Sequence, residues 1–262
     1  MTTSLSPVVF NAPLVNPAPT GLFSAVQWNE DDGPLRWLGP GVEVRLFNYG
    51  MESSFGVWQS DPFASESSLE ETDVKLAGGH PEETDPFTHY TSWAADACDL
   101  TQGSQDEVLV RAQQVLRLNE QTAVEEMFSD RLLTDAGAIV DAGGVVGALA
   151  TLEGLLAETN TLGVIHASAE IAAIAASEQL IRYSGSKMVT PLGHQWVFGG
   201  GYKTGLGDVL VASSPLFGWR GPVSVRSTIK SEWNLFYGLA ERSLAVGYEV
   251  VLGAASVDVG SA

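Results

Sequence analysis

Four histidines, one cysteine and a run of three glycines are the residues of this 262-residue chain whose types could support chemistry. The glycines stand in "TPLGHQWVFGGGYKTG", Thr190 to Gly205, where an apolar run carrying His194 precedes them and Lys203 follows. A glycine-rich loop beside a basic residue could cradle a phosphate on backbone N–H groups, with His194 as a general base. The Lys-Ser/Thr of a P-loop is missing, and no helix is expected after the glycines to aim its N-terminus at an anion. "GYKTGLGD" is likewise no dinucleotide fingerprint, because no βαβ unit or distal acid accompanies it. The stretch therefore reads as a strand closed by a tight turn, with Gly199 to Gly201 present for backbone conformations that other residues avoid. His194 reads as a hydrogen-bonded structural histidine.

The other candidates are equally spare. His80 and His89 flank Glu82, Glu83 and Asp85, a spacing that matches no zinc or EF-hand pattern. Cys98 lies between Asp96 and Asp99, a setting that disfavours a thiolate nucleophile. The serines and threonines from Ser53 to Thr84 contain no G-x-S-x-G elbow. A hydrolase would have to be built on His166 or His194 with partners distant in sequence. No catalytic, cofactor-binding or metal-binding residue is assigned, and the chain is expected not to be an enzyme.

Composition narrows the classes further. With 45% apolar residues and seven tryptophans the chain can fill a substantial core. A net charge of −19 with 13 basic residues argues against tight nucleic-acid binding, whose affinity comes mainly from Lys and Arg displacing counterions. One cysteine excludes an intrachain disulfide framework, so an oxidising compartment is not needed and a cytoplasmic origin is expected. The first 21 residues lack a basic n-region and are broken by Pro7, Pro13, Pro17 and Pro19, unlike a signal peptide. Ala136 to Ala150 is too short to span a bilayer, and a soluble protein is expected.

The elements that would position these residues follow from pattern. Residues 1–40 carry isolated anchors (Phe10, Leu14, Phe23, Trp28, Trp37) among prolines, which suggests an arm lying across another surface. "GVEVRLFN" and "SFGVWQ" predict a β-hairpin about Gly50. From Glu52 to Asp99 eleven acids face one base, Lys75, so this segment reads as a solvated or partner-facing extension. A long helix is expected from Ser104 to about Asp130, capped by Ser104 with Glu107, its apolar stripe running through Leu109, Ala112, Val115 or Leu116, Ala123 and Met127. Helices in "GVVGALATLEGLLAET" and in "SAEIAAIAASEQLI", the latter capped by Ser168, flank a buried strand "LGVIHA". Strands follow in "HQWVFGGGY", "DVLVAS" and "PVSVRSTI", and "ERSLAVGYEVVLGAASVDVG" reads as an antiparallel strand pair around Gly253. The class is α+β.

Three stretches, "LGVIHASAEIAAIAASEQLIRYSGSKMVTPLGHQWVFGGGY", "GPVSVRSTI" and "AERSLAVGYEVVLGAASVDV", resemble the axial-domain and closing peripheral strands of major capsid proteins of tailed double-stranded DNA phages, those infecting actinobacteria in particular. The resemblance implies the Hong Kong 97-type fold with an N-terminal arm (1–40), extended β-loop and flanking strands (41–98), spine helix of the peripheral domain (99–133), axial domain (134–229) and peripheral return strands (230–262). It implies a virion protein, assembled in the host bacterial cytoplasm, that forms pentamers and hexamers of an icosahedral head. The head would enclose double-stranded DNA without sequence-specific binding, with a portal and scaffold or decoration proteins as further partners. An encapsulin-type bacterial shell around cargo protein shares the fold and is the alternative. Some members cross-link a loop lysine to a neighbour's peripheral asparagine. Lys75 and Asn234 would be the pair here, although neither aligns with a family cross-link motif.

Overall fold

The computed structural model describes residues 8–29, 35–51, 54–57, 61–70, 75, 77–79, 84–100 and 105–258. The chain divides into two compact units, one of Met1–Pro19, Trp93–Glu120 and Val223–Glu241, the other of Thr20–Ser92, Gln121–Pro222 and Arg242–Ala262. Among the described residues no helix is long and apolar enough to cross a membrane.

The second unit is built on a seven-stranded sheet, formed by β3 (Ile139–Asp141), β4 (Val164–Ser168), β5 (Arg182–Ser184), β6 (Lys187–Val189), β7 (Gln195–Gly199), β8 (Val209–Ser213) and β12 (Val251–Ser256). Its order is β3-β12-β8-β4-β7-β6-β5. The β4–β7 and β3–β12 pairs are parallel, and the others are antiparallel. β4 and β8 are buried at every position, so their sequences read as continuous apolar runs rather than alternating ones. One face carries Ile165, Ala167, Trp196, Phe198, Leu210 and Ala212 against α3 (Val145–Glu158) and α4 (Ile171–Ser177). The opposite face packs Val164, Val197 and Val211 against Val124, Phe128 and Leu132. Those three side chains come from the C-terminal half of α2 (Gln105–Ala136).

In the same unit α1 (Leu22–Ala25) leads into β1 (Val26–Asn29), which pairs in parallel with β9 (Leu216–Arg220). β9 pairs antiparallel with the end of β11 (Leu235–Gly247), from Leu244↔Arg220 to Gly247↔Phe217. The first unit holds the antiparallel hairpin of β10 (Ser224–Lys230) with the start of β11. β2 (Tyr90–Asp99) also pairs with β11, and Ala94, Ala240, Ala112 and Leu116 form a small core there.

The structure corrects several expectations. The long helix has 32 residues and continues past Asp130 to Ala136, while Ser104, its expected cap, lies outside the described residues. Its buried positions are Val108, Ala112, Leu116, Glu120, Val124, Phe128 and Leu132, joined near the C-terminal end by Glu125 and Ser129, whereas Ala123 and Met127 are exposed. A strict four-residue repeat advances about 40° around the helix at each step, so the buried stripe winds instead of holding one face. No hairpin forms among the described residues of 41–57, and Trp58 and Gln59 at the end of its expected second strand lie outside the described residues. Val42 instead bridges Phe87, and the Glu249 carboxylate accepts the Phe47 and Asn48 N–H groups (both 3.1 Å) that a ladder would have used. The last two strands do not pair with each other: the chain breaks at Tyr248 to Val250, and β12 joins the seven-stranded sheet with Gly253 at a register shift. α4 starts at Ile171, and Ser168 closes β4 with its hydroxyl accepting from the Glu170 N–H at 3.4 Å.

Candidate functional site

His166 sits at the centre of β4 and is fully buried. Its Nδ1 lies 2.8 Å from the Tyr202 hydroxyl and its Nε2 2.8 Å from Ser213 Oγ, while Ser213 Oγ donates to the Ser214 carbonyl at 3.0 Å. That last bond fixes the proton order. Ser213 spends its only proton on Ser214, so it accepts from His166 Nε2–H, and the unprotonated Nδ1 accepts from Tyr202. Burial holds the imidazole pKa down at about 3 and pushes the Tyr202 phenol well up, so both stay neutral. A serine hydrolase needs the histidine to take the serine's proton, and here the histidine donates to it. The Ser-His pair is a sealed structural relay, not a nucleophile and base.

His194 has a different task. Its Nδ1 accepts the Gly163 N–H at 3.2 Å, and its N–H and carbonyl bond Thr190 Oγ1 (3.3 Å) and the Thr190 N–H (2.8 Å). Thr190 Oγ1 donates to Glu153 (2.5 Å), which also accepts the Leu192 N–H (3.0 Å). Burial lowers the His194 pKa, with Glu153 opposing. "TPLG" is thus a turn with Gly193 at φ 99°, closed by a bond from the Gly193 N–H to Thr190 O and pinned to α3 by Glu153. His194 is hydrogen-bonded through its ring and through both of its backbone groups.

The three glycines act through close approach. None of Gly199, Gly200 and Gly201 has positive φ, so the expected conformational reason is wrong. A short helix, α5 (Tyr202–Gly205), follows them, contrary to expectation. At Gly199 a Cβ would lie 2.7 Å from the Glu125 carboxylate, and at Gly201 it would overlap the Thr122 carbonyl oxygen and meet Glu125 Cβ at 2.8 Å. At Gly200 it would meet the Thr122 side chain at ordinary contact distances, Oγ1 at 3.6 Å and Cγ2 at 3.8 Å. Gly199 lets the end of β7 close on the Glu125 side chain, and Gly201 lets the start of α5 lie against the backbone of α2.

Glu125, which the sequence did not single out, organises this joint. One carboxylate oxygen accepts the Leu22 N–H and the other the Gly201 N–H, both at 2.9 Å. Burial pushes its carboxyl above the usual range, and the N–H groups of Leu22, Gly201 and Gly200 pull the other way. The carboxylate thereby ties the chain where it leaves the N-terminal segment to α2 and to the glycine run. It stands next to Val124 of the winding stripe, a face that the sequence pattern did not resolve, so no local signal marked it.

A second joint holds the root of the extended segment. The Arg131 guanidinium lies 4.3 Å over the Phe87 ring, donates to Asp85 O at 2.9 Å and pairs with Asp135 at 2.6 Å. Tyr248 donates to Asp135 at 2.8 Å. Further along, Glu249 takes the Phe47 and Asn48 N–H groups, and buried Tyr49 bonds Thr161 at 3.0 Å.

Beyond these anchors the surface changes. Phe10, Phe47, Phe55 and Phe63 are 81%, 81%, 80% and 93% exposed, and Trp93 and Trp233 are also mainly exposed. Of the histidine and acid group near residue 85, His80, Glu82 and Glu83 lie outside the described residues, and Asp85 offers its carbonyl to Arg131. Among the described residues no group of three His, Cys, Asp or Glu could hold a metal ion. Cys98 is half-buried in β2. Lys75 is exposed, and Asn234 sits at the tip of the β10–β11 hairpin at φ 48°, its amide donating to Asp99 at 2.8 Å.

No family model and no curated protein matches the chain. Solved structures do. The chain is similar over its whole length to the capsid of an empty GTA particle (12% identity, 96% of that chain, TM-score 0.53) and to the mature capsid of bacteriophage PhiM1 (9%, 93%, 0.52). A structure from Gordonia phage Cozz matches equally (11%, 100% of this chain and 92% of that one, 0.53). At these identities the likeness speaks for the fold alone, and the fold of this α+β chain is that of phage major capsid proteins.

Proposed function

We propose that this chain is the major capsid protein of a tailed phage, assembling through pentamers and hexamers into an icosahedral head around double-stranded DNA. The observation that carries this reading is where the large apolar side chains stay exposed. Among the described residues many lie on the N-terminal segment (Phe10, Leu14), on residues 47–63 (Phe47, Phe55, Phe63) and on β10 (Val225, Ile229), with others along α2 and on the edge strands β3 and β5, while the central strands β4, β7 and β8 of the seven-stranded sheet are covered on both faces. Apolar side chains on long segments without a covering layer in their own chain suit surfaces that other copies complete. Under this reading 1–40 is the arm, 41–98 the extended loop, 99–133 the spine helix, 134–229 the axial domain and 230–262 the peripheral return. The role is structural and not catalytic, in keeping with the sealed His166 relay.

Net charge −19 suits a container for DNA, since a basic lining would bind the packaged polymer and oppose its movement. The reading places the protein in the virion after assembly in the host cytoplasm, with a portal and scaffold or decoration proteins as partners. Electron microscopy of the expressed protein tests it. Particles of defined diameter are expected, and a monomer at high concentration with scaffold supplied would overturn the reading. Particles from infected cells are expected to contain genome. An enclosed cargo protein without nucleic acid would instead make this an encapsulin-type shell.

A further inference from the structure

β10 lies at the end of its sheet, paired on one side with β11 in an unbroken register from Ser224↔Glu241 to Lys230↔Leu235. All seven of its residues are exposed, and among the described residues no strand pairs with its outer edge. Folded proteins usually blunt such an edge with a proline, a bulge, a very short strand or charged side chains. β10 contains no proline and pairs without a bulge over seven residues, and its two charges, Arg226 and Lys230, stand on one face only. Its side chains alternate: Ser224, Arg226, Thr228 and Lys230 share one face, and Val225, Ser227 and Ile229 share the other. Val225 and Ile229 are 38% and 56% exposed, although Ala240 and Phe236 opposite them on β11 are buried. The apolar row is covered on the β11 side and open at the edge.

We propose that β10 pairs antiparallel with β10 of a second copy about a two-fold axis through Ser227, so that one sheet continues from subunit to subunit. The inference rests on the reading that this chain assembles with itself. A two-fold contact must be self-complementary, and this strand is. Centred on Ser227, the pairing sets Val225 against Ile229 twice, Arg226 against Thr228 and Lys230 against Ser224. No cation faces a cation. Within each copy the Arg226 guanidinium pairs with Glu241 and the Lys230 ammonium lies 4.5 Å over the Tyr237 ring, so both cations on this face already have partners on β11. Sliding by two residues, which keeps like faces together, sets Arg226 against its own copy or against Lys230. Like charges directly opposite are destabilising in a sheet, so the sequence selects the Ser227 register. A single strand pair buries less than the roughly 1,200 Å² of a stable interface, so this contact adds to the others of a shell and is weak alone.

The test is disulfide trapping in assembled protein, in a Cys98→Ser background. Directly opposed residues have Cβ atoms about 5 Å apart, within reach of a disulfide after slight adjustment. Ser227→Cys is expected to form a covalent dimer on mild oxidation. Ser224→Cys is expected not to, because the two copies of residue 224 lie six residues apart along the pair, about 20 Å. Mixed Ser224→Cys and Lys230→Cys subunits are expected to cross-link to each other. Particles that form while Ser227→Cys stays monomeric, or in which Ser224→Cys links to itself as readily, overturn the pairing and leave the assembly reading intact. A Ser227→Cys dimer without particles supports the pairing and removes the shell. Thr228→Arg, an exposed change that sets a cation against the partner's Arg226, is expected to lower the particle yield of otherwise unaltered protein. An unchanged yield counts against the register even if the cysteine variants misfold.

Discussion

Leu152 and Phe63 are both large apolar side chains, and they have opposite surroundings. Leu152 is fully buried between α3 and the seven-stranded sheet, whereas Phe63 is 93% exposed in a turn that precedes a single 3-10 turn at Glu66–Ser68. The centre of the sheet unit satisfies itself: β4, β7 and β8 are covered on both faces and the buried histidines are bonded at both ends or in a turn. Among the described residues the segment carrying Phe63 is anchored through Arg131, Glu249 and Tyr49, and under the proposed function its exposed apolar side chains meet another subunit. Stability and assembly should therefore separate by mutation. Leu152→Ala is expected to cost about 2–5 kcal/mol in denaturant unfolding, through lost burial plus a cavity. Phe63→Ala should leave subunit stability within about 0.5 kcal/mol and reduce particle yield. A Phe63→Ala subunit as unstable as Leu152→Ala would erase the contrast.

Within the sheet unit, Gly201 sharpens the same point. An added Cβ meets the Thr122 carbonyl of α2, and backbone inside a long helix does not yield as a side-chain tip does. Gly201→Ala should cost about 1–3 kcal/mol, the range for overpacking a closed site, measured as a lower midpoint at unchanged slope.

The His166 relay makes a pH prediction with a definite sign. The folded state holds the imidazole pKa down at about 3, while the unfolded chain protonates near 6.5. A depressed pKa contributes stability that is fully present above 6.5 and falls away as pH drops toward 3. The slope is about 1.4 kcal/mol per pH unit, so about 2 kcal/mol is lost by pH 5. His166→Gln, neutral throughout, should flatten that part of the stability profile whatever its absolute stability. An unaltered slope would mean another group carries the acid sensitivity.

How much of this was legible in the sequence depends on which physical force set each residue. β4, β7 and β8 were readable because continuous apolar runs bounded by Gly, Ser or Pro admit few alternatives. The long helix was readable as a helix but not in its buried face, because a repeat of four winds where a repeat of 3.6 does not. The hairpin at 41–57 failed because Glu249, some 200 residues away, supplies the acceptors for Phe47 and Asn48. The partners of His166 lie 36 and 47 residues from it, so no local pattern could announce a relay. The final strand pair failed for a similar reason: its two strands alternate correctly, yet the break at Tyr248 to Val250 sends them to different sheets.

Gly200 isolates what the glycine run is for. If the run existed to permit an unusual backbone, its middle residue would be the least replaceable, and Gly200→Ala would be costly. The observed reason is contact: Gly199 faces the Glu125 carboxylate, Gly201 faces the α2 backbone, and a Cβ on Gly200 meets Thr122 at an ordinary 3.6 Å. With no positive φ at this position, alanine also restricts the unfolded chain without straining the folded one. Gly200→Ala is therefore expected to be neutral or stabilising by up to about 1 kcal/mol, read from thermal unfolding beside Gly201→Ala. A loss at Gly200 as large as at Gly201 would return the run to a conformational role, whereas opposite signs at adjacent glycines would locate the constraint in the facing helix.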